Sequence, residues 1–438
     1  MSSPVAPIGT HATLIFLLQL GLLLGLALLL GRLAVRLRMP AVVGELTAGV
    51  LVGPSVLAHL SPALSGWLLP RDAEQLHLLD AVGQLGVLLL VGVTGLHVDL
   101  KLLRRKGTTA LRVGAGGLLV PLGLGVGLGF LLPAFLFTPG TERVVFASFV
   151  GVAMGVSAIP VIAKTLLELR LLHRNVGQLI ISAATVGDVV GWLLLSMVSA
   201  LATTGLLAVQ VLLSLAGLVA LLVGMVVVGR PMVDAALRLA HRSSEPGLGV
   251  TVCVALLLLA AAGSHALGME PVLGTLLCGM LIGSSRWVDR SRIAPLRTVV
   301  MFVLAPIYFA TAGLRMDLTA LGRPPVLGAA GAVLLVAVLG KFLGAYAGAR
   351  ASRLSHWEGL ALGAGLNARG VIEVIVATVG LRLGVLTTAM YTIVVLVAIM
   401  TSLMAPPLLR YATGRIAVFE EERLRERDFR ADAATPAG

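Results

Sequence analysis

The chain has 438 residues, of which 58% are hydrophobic and 12% charged, with 52 glycines and a formal net charge of +12; its mean hydropathy is +1.01. A soluble domain carries about a quarter charged residues, so this composition excludes one, and it excludes a disordered or collagen-like chain as well. It fits a polytopic membrane protein, whose helices meet lipid or one another on every side and show no polar face.

Runs of about 17 to 25 mostly apolar residues fall at 13–31, 41–60, 78–97, 108–133, 143–167, 177–200, 206–229, 249–267, 270–285, 298–314, 325–349, 357–380 and 387–409, which predicts an all-α protein with thirteen transmembrane helices between residues 13 and 410. Residues 1–12 contain no Lys or Arg, so the basic region of a signal peptide is missing and the first span is expected to be retained. Assigning the loops alternately to two sides places 26 of the 33 Lys and Arg on one side and five on the other, with Lys341 and Arg369 inside spans. Positive charge marks the cytoplasmic side. The pattern predicts a multi-pass protein of the cytoplasmic membrane, with residues 1–12 outside the cell and residues 411–438 as a short cytoplasmic tail. Most of the basic surplus is then topology, and no nucleic-acid partner is expected.

In chain order, the second span holds Gly44, Gly49 and Gly53 after Pro40, with Glu45 at its start, where the helix dipole accounts for an acid. The third ends in Gly95-Leu96-His97-Val98-Asp99-Leu100. The fifth runs from Gly151 through Ser157 to Pro160; a proline in mid-span removes a backbone donor, so the helix is expected to break there. The sixth carries Thr185 and, near its middle, Asp188. Cys253 and Cys278 lie in apolar runs and read as small core residues. The ninth span repeats the glycines of the second at Gly274, Gly279 and Gly283, each 230 positions on, and the tenth repeats the third as Gly313-Leu314-Arg315-Met316-Asp317-Leu318, 218 positions on. Lys341 lies in the eleventh. The twelfth runs from Gly363 through Asn367 and Arg369 to Gly370, with Glu373 following, a second expected break, because unwound backbone is tolerated in a membrane only where protein or a wet cavity surrounds it.

The repeat maps each span onto the seventh after it, giving halves at about 13–200 and 249–409 joined by a linker helix at 206–229. Seven is odd, so the two copies cross the bilayer in opposite directions. Inverted repeats with discontinuous helices at the midplane belong to secondary transporters. No cofactor-binding motif is present, so no cofactor and no enzymatic activity are expected.

A charge in mid-membrane is expensive and therefore a candidate for function. Asp188 is the strongest: a carboxylate away from water can hold a proton near neutral pH and release it in exchange for a cation that restores charge balance. Lys341 is either an interfacial lysine that snorkels or the charge partner of Asp188 when no cation is bound. Arg369 and Glu373, four apart, can pair on one helix face and, with Asn367, serve structure or gating at the broken helix. Ser157 and Thr185 offer hydroxyl oxygens to a monovalent cation, or bond back to their own helices. No resident metal is expected. His173, His241 and His356 read as solvated loop residues.

With these residues in place the chain resembles the monovalent cation:proton antiporter-2 family, which includes Kef-type potassium systems and the plant cation/H⁺ exchangers. The carriers are Gly44-Glu45-Leu46-Thr47-Ala48-Gly49-Val50-Leu51-Val52-Gly53-Pro54-Ser55, Ser157-Ala158-Ile159-Pro160-Val161, Gly187-Asp188, Pro306-Ile307-Tyr308-Phe309, Gly340-Lys341, and Leu366-Asn367-Ala368-Arg369-Gly370-Val371-Ile372-Glu373. The resemblance implies an antiporter fold with two crossed broken helices, a dimerisation and a core domain, a homodimer, and alternating access. It matches Asp188 to the family's ion-binding aspartate and Lys341 to the lysine opposite it. Three departures stand out: Gly187 replaces the second acid of electrogenic members, Lys341 remains although its usual acidic partner is missing, and Gln84 and His97 replace common glutamates. The expected function is exchange of Na⁺ or K⁺ for H⁺, electroneutral because a single aspartate carries either ion. A potassium efflux channel and an organic-anion transporter on the same scaffold are the rivals; no selectivity-filter loop supports the first, and Asp188 would repel the substrate of the second.

Overall fold

In hydrocarbon a backbone satisfies its own polar groups by coiling, and in the computed structural model the chain is helical nearly throughout. It describes residues 9–37, 39–69, 73–96, 100–204, 208–243, 245, 247–417, 420 and 422. Among these there is no strand, only a bridge between Phe137 and Leu386. Ten helices among the described residues are long and apolar enough to cross a membrane: Thr10–Arg36, Ala41–Leu60, His77–Gly95, Gly107–Leu131, Asn175–Thr203, Leu212–Arg242, Leu248–Ala266, Ser291–Leu314, Pro324–Ala351 and Thr388–Thr413. The pair His356–Leu366 and Val371–Arg382, bent by 46° at its break, makes an eleventh if it counts as one span. The protein is thus a multi-pass membrane protein.

One expected span breaks, as its mid-span proline predicts, and another is shorter than expected. The stretch 143–167 is two helices, Arg143–Gly155 and Ile159–Glu168. The stretch 270–285 is the 14-residue helix Pro271–Ser284, about 21 Å long at 1.5 Å per residue, short of the roughly 30 Å hydrocarbon layer. The linker helix runs past its expected end at 229 to Arg242, because a π-turn at Met225–Gly229 adjusts the hydrogen-bond ladder just ahead of Pro231. A second π-turn, Val300–Leu304, precedes Pro306 in the same way. Residues 1–8, His97, Asp99 and 423–438, which carried expectations about the ends, the glutamate substitution and the third span, lie outside the described residues.

The chain forms two compact units. The first comprises 1–97, 220–267 and 271–320. Its helices meet closely at glycines. A Cβ on Gly44 would lie 2.1 Å from the Leu30 carbonyl oxygen, and one on Gly274 would lie 2.1 Å from that of Ala260, 230 positions later. Gly49 approaches the Ala310 carbonyl oxygen to 1.9 Å by the same measure, and Gly279 that of Gly92 to 2.2 Å. The second unit comprises 98–219, 268–270 and 321–438. Its apolar core gathers Ile180, Ala183, Ala184, Leu362, Leu366 and Ala368 and contains both broken helices.

Candidate functional site

The site grows from two helix ends inside the second unit. Helix Arg143–Gly155 stops where Val156 turns extended (φ −74°, ψ 156°), and the chain restarts at Ile159 with Pro160 as its second helical residue, a position where the missing N–H costs nothing. Helix His356–Leu366 stops at Asn367, and Val371–Arg382 begins after Gly370; Asn and Gly are poor helix formers. The two breaks touch. The Ser157 hydroxyl donates to the Leu366 carbonyl at 3.0 Å, the Ala158 N–H to the Ala368 carbonyl at 3.4 Å, and a Cβ on Gly370 would meet the Val161 side chain at 2.8 Å.

A helix leaves its last four carbonyls without intrahelical donors, and hydrocarbon supplies none. For Arg143–Gly155 all four are accounted for. Val152 accepts from the Val156 N–H. The Arg369 guanidinium donates to the carbonyls of Ala153 (2.7 Å) and Met154 (2.6 Å). The Lys341 ammonium donates to the carbonyl of Gly155. Cations at a helix C-terminus also meet the favourable end of its dipole. Arg369 reaches the Ala337 carbonyl as well (3.2 Å), while Lys341 adds the Gly117 carbonyl (2.9 Å) and the Ser157 hydroxyl (2.7 Å). Ser402 in turn donates to the Arg369 carbonyl.

The helix carrying Asp188 runs past both breaks: Ile180 fills the space at Gly365 and Val156 fills the space at Gly191, with Asp188 between these two heights. Asp188 is 1% exposed, and neither of its carboxylate oxygens has a hydrogen-bond partner. Asn367, fully buried, is equally unpartnered at Oδ1 and Nδ2, and so is Glu373 at Oε1. The other Glu373 oxygen accepts from the Gly370 N–H at 2.7 Å. Of the buried charges, Glu373 acts electrostatically on Asp188, and Arg369 and Lys341 act on Glu373. The set is two acids and two bases.

The seven candidate site residues, Ser157, Thr185, Asp188, Lys341, Asn367, Arg369 and Glu373, all lie in this unit and are buried. Thr185 spends its hydroxyl on the Ile181 carbonyl of its own helix. Lys341 makes no ion pair with Asp188 here, its hydrogen bonds going to Gly155 and Ser157 at the first break and to the Gly117 carbonyl of the helix Gly107–Leu131. Arg369 and Glu373 do not pair along one helix face, because Arg369 precedes the second half-helix and points to the first. What the sequence missed is this capping role, with Gly117 and Ser402 in it. The one available signal was a basic residue deep in a span without an acid at helical spacing, as Lys341 is.

The transmembrane profile of the sodium/hydrogen exchangers matches residues 23–411. The chain belongs to the sodium/hydrogen exchanger family. Within this family it is 31% identical over 402 residues to the Na(+)/H(+) antiporter NhaS4 of Synechocystis sp., covering 91% of this chain and 97% of that one. It is 30% identical to cation/H(+) antiporter 20 of Arabidopsis thaliana (90% of this chain, 48% of the relative), and 27% identical to K(+)/H(+) antiporter 1 of Saccharomyces cerevisiae (85% and 43%). The chain therefore spans about half the length of the plant and yeast relatives. Its fold is similar to that of the sodium proton antiporter MjNhaP1 from Methanocaldococcus jannaschii, with a TM-score of 0.61, 17% identity and coverage of 92% and 97%.

Proposed function

We propose that this exchanger carries Na⁺ or K⁺ in one direction and H⁺ in the other across the cytoplasmic membrane, with Asp188 binding either ion in turn. The observation that carries the reading is a fully buried carboxylate with no partner, on a helix that passes two broken helices. An unpaired charge is costly there, so the site is completed by a proton or by a cation. The antiporters among its relatives support exchange of this kind. The site holds one positive charge in either loaded form, which supports one-for-one, electroneutral exchange. Asn367 and Ser157 oxygens are the further cation ligands in this reading, Thr185 is a reserve ligand that would have to leave its helix bond, and Lys341 balances charge across the first break.

The thirteen-span inverted topology belongs to the same proposal, with the N-terminus outside, the C-terminus in the cytoplasm and the protein a homodimer. It is supported by the paired glycine contacts: partners of Gly44 and Gly274 stand 230 positions apart, and those of Gly49 and Gly279 stand 218 apart, the same offsets as the sequence repeat.

The test is Asp188→Asn in proteoliposomes. A neutral amide cannot take up a proton or neutralise a cation, so exchange driven by a pH gradient should disappear while the purified protein keeps its unfolding temperature. Exchange at the wild-type rate would overturn the mechanism. Running Na⁺ and K⁺ separately, with the potential clamped and unclamped, reads the ion and the stoichiometry.

A further inference from the structure

Helix Leu212–Arg242 has 31 residues and is about 46 Å long, well beyond the roughly 30 Å hydrocarbon layer. Its final part, Arg230–Arg242, changes character. Val233, Leu237 and Ala240 are buried, at the spacing of one helix face, while Arg238, Leu239 and Arg242 are exposed. Val226, Val227, Val228 and Met232 are exposed just before and into this stretch. An exposed apolar stripe running into exposed arginines is the pattern of a helix leaving the acyl chains at the headgroup layer.

Here the arginines are organised around one indole. Both the Arg238 and the Arg286 guanidinium lie over the Trp287 ring, at 5.5 and 5.0 Å from its centroid, within the range of a cation–π contact, and His241 stands 6.1 Å away. Among the described residues neither Arg238 nor Arg286 has an ion pair. The nearby acids are engaged: Asp234 accepts from the Ser285 hydroxyl at 2.5 Å, and Asp289 accepts from the Ser291 N–H and hydroxyl while pairing with Arg292 at 3.4 Å. Those Ser291 bonds hold the Asp289 carboxyl below the usual carboxylate range. A shallow pocket opens beside them, lined by Leu237, His241, Trp287, Asp289, Arg292 and Ile293. Two guanidiniums on one ring, both without an anion, leave their in-plane N–H donors for a phosphate, which Arg binds in bidentate fashion.

We propose that Arg238, Arg286 and Trp287 form a binding site for the headgroup phosphate of an anionic phospholipid, whose acyl chains lie along the exposed Val226 to Met232 stripe. All of these residues belong to the first unit, and none is part of the ion site, so the proposal is independent of how transport works. The charge supplies the preference for an anionic headgroup, the indole holds the two guanidiniums together, and the stripe distinguishes a lipid from a free anion.

The test is a lipid titration of the full-length protein followed by native mass spectrometry, using phosphatidylglycerol, phosphatidylcholine and inorganic phosphate. The wild type should retain phosphatidylglycerol over phosphatidylcholine, and Arg238→Gln with Arg286→Gln should weaken that retention on the order of tenfold or more, as the loss of two charge-assisted guanidinium–phosphate contacts implies. Trp287→Leu, which leaves both charges, should weaken it too. Arg32→Gln with Arg36→Gln removes the same charge from the end of the first helix and should leave retention unchanged. Equal retention of the two lipids by the wild type, an unaffected Arg238/Arg286 variant, or an equal loss from the Arg32/Arg36 variant would each overturn the site. Binding of inorganic phosphate as tight as that of phosphatidylglycerol would overturn its assignment to a lipid. Unfolding temperatures in phosphatidylcholine alone, expected to be equal for all variants, separate lost binding from lost folding.

Discussion

Asp188 and the glycine before it make a natural pair for experiment. A Cβ on Gly187 would meet nothing within 4 Å, so the backbone packing admits the Cβ of Gly187→Asp, which adds a carboxylate at the position before Asp188, as in the electrogenic members of the family that the chain resembles. Exchange by the wild type should be indifferent to a clamped potential, whereas exchange by Gly187→Asp should depend on it; a potential-independent variant with full activity would remove the argument that the missing acid sets the stoichiometry. Lys341 calls for a different substitution. Lys341→Met keeps the apolar stem but leaves the carbonyls of Gly117 and Gly155 without donors, at roughly 1–3 kcal/mol for each buried group left unpaired. The thermal transition in detergent should fall accordingly. An unchanged transition would mean that the ammonium does not hold the first break.

At the scale of the element, the two broken helices are stable because each break is stitched by the other. Arg369→Gln removes both guanidinium bonds to Ala153 and Met154 and should therefore lower stability and abolish exchange together, unlike Asp188→Asn, which should abolish exchange alone. Comparing unfolding temperatures of the two variants checks this difference. Helix pairs elsewhere depend on close backbone approach. A Cβ on Gly344 would lie 2.0 Å from the Gly116 carbonyl oxygen, so Gly344→Leu should prevent helix Pro324–Ala351 from seating and leave little monodisperse protein on size-exclusion chromatography. Small residues serve this purpose in membranes, where helices gain no hydrophobic drive from one another.

For the whole molecule, the number of membrane crossings turns on one short helix. Helix Pro271–Ser284 is too short by itself, yet the alternating charge count needs it to cross. Single cysteines at Leu267 and Ser291 flank it and are exposed, and the native Cys253 and Cys278 are buried. If it crosses, an impermeant maleimide should label the two positions from opposite sides of oriented vesicles; labelling from the same side would reduce the count and break the inverted repeat. The lipid site described above belongs to this scale as well, since it ties one unit to the headgroup layer.

Much of this was legible in the sequence, for reasons that can be traced to single residues. Apolar runs read directly as helices because hydrocarbon leaves a backbone few other options, and Asp188, Lys341 and Arg369 stood out because so few charges lie inside spans. Pro160 and the Gly363–Gly370 run marked where helices stop. Partnership was not legible. The i,i+4 spacing suggested that Arg369 pairs with Glu373, but the free carbonyls at the end of a helix more than 200 positions earlier compete for the same guanidinium, and a linear pattern does not display unpaired carbonyls. The end of the linker helix past Pro231 is not legible for a related reason, since the π-turn that admits this proline involves backbone bonds without any side-chain signal. The sequence by itself determined that this is a membrane protein of many helices with a few buried charges. Only the tertiary structure decided which of those charges hold the fold and which one is left unsatisfied, because that depends on which helix ends the folded chain brings together.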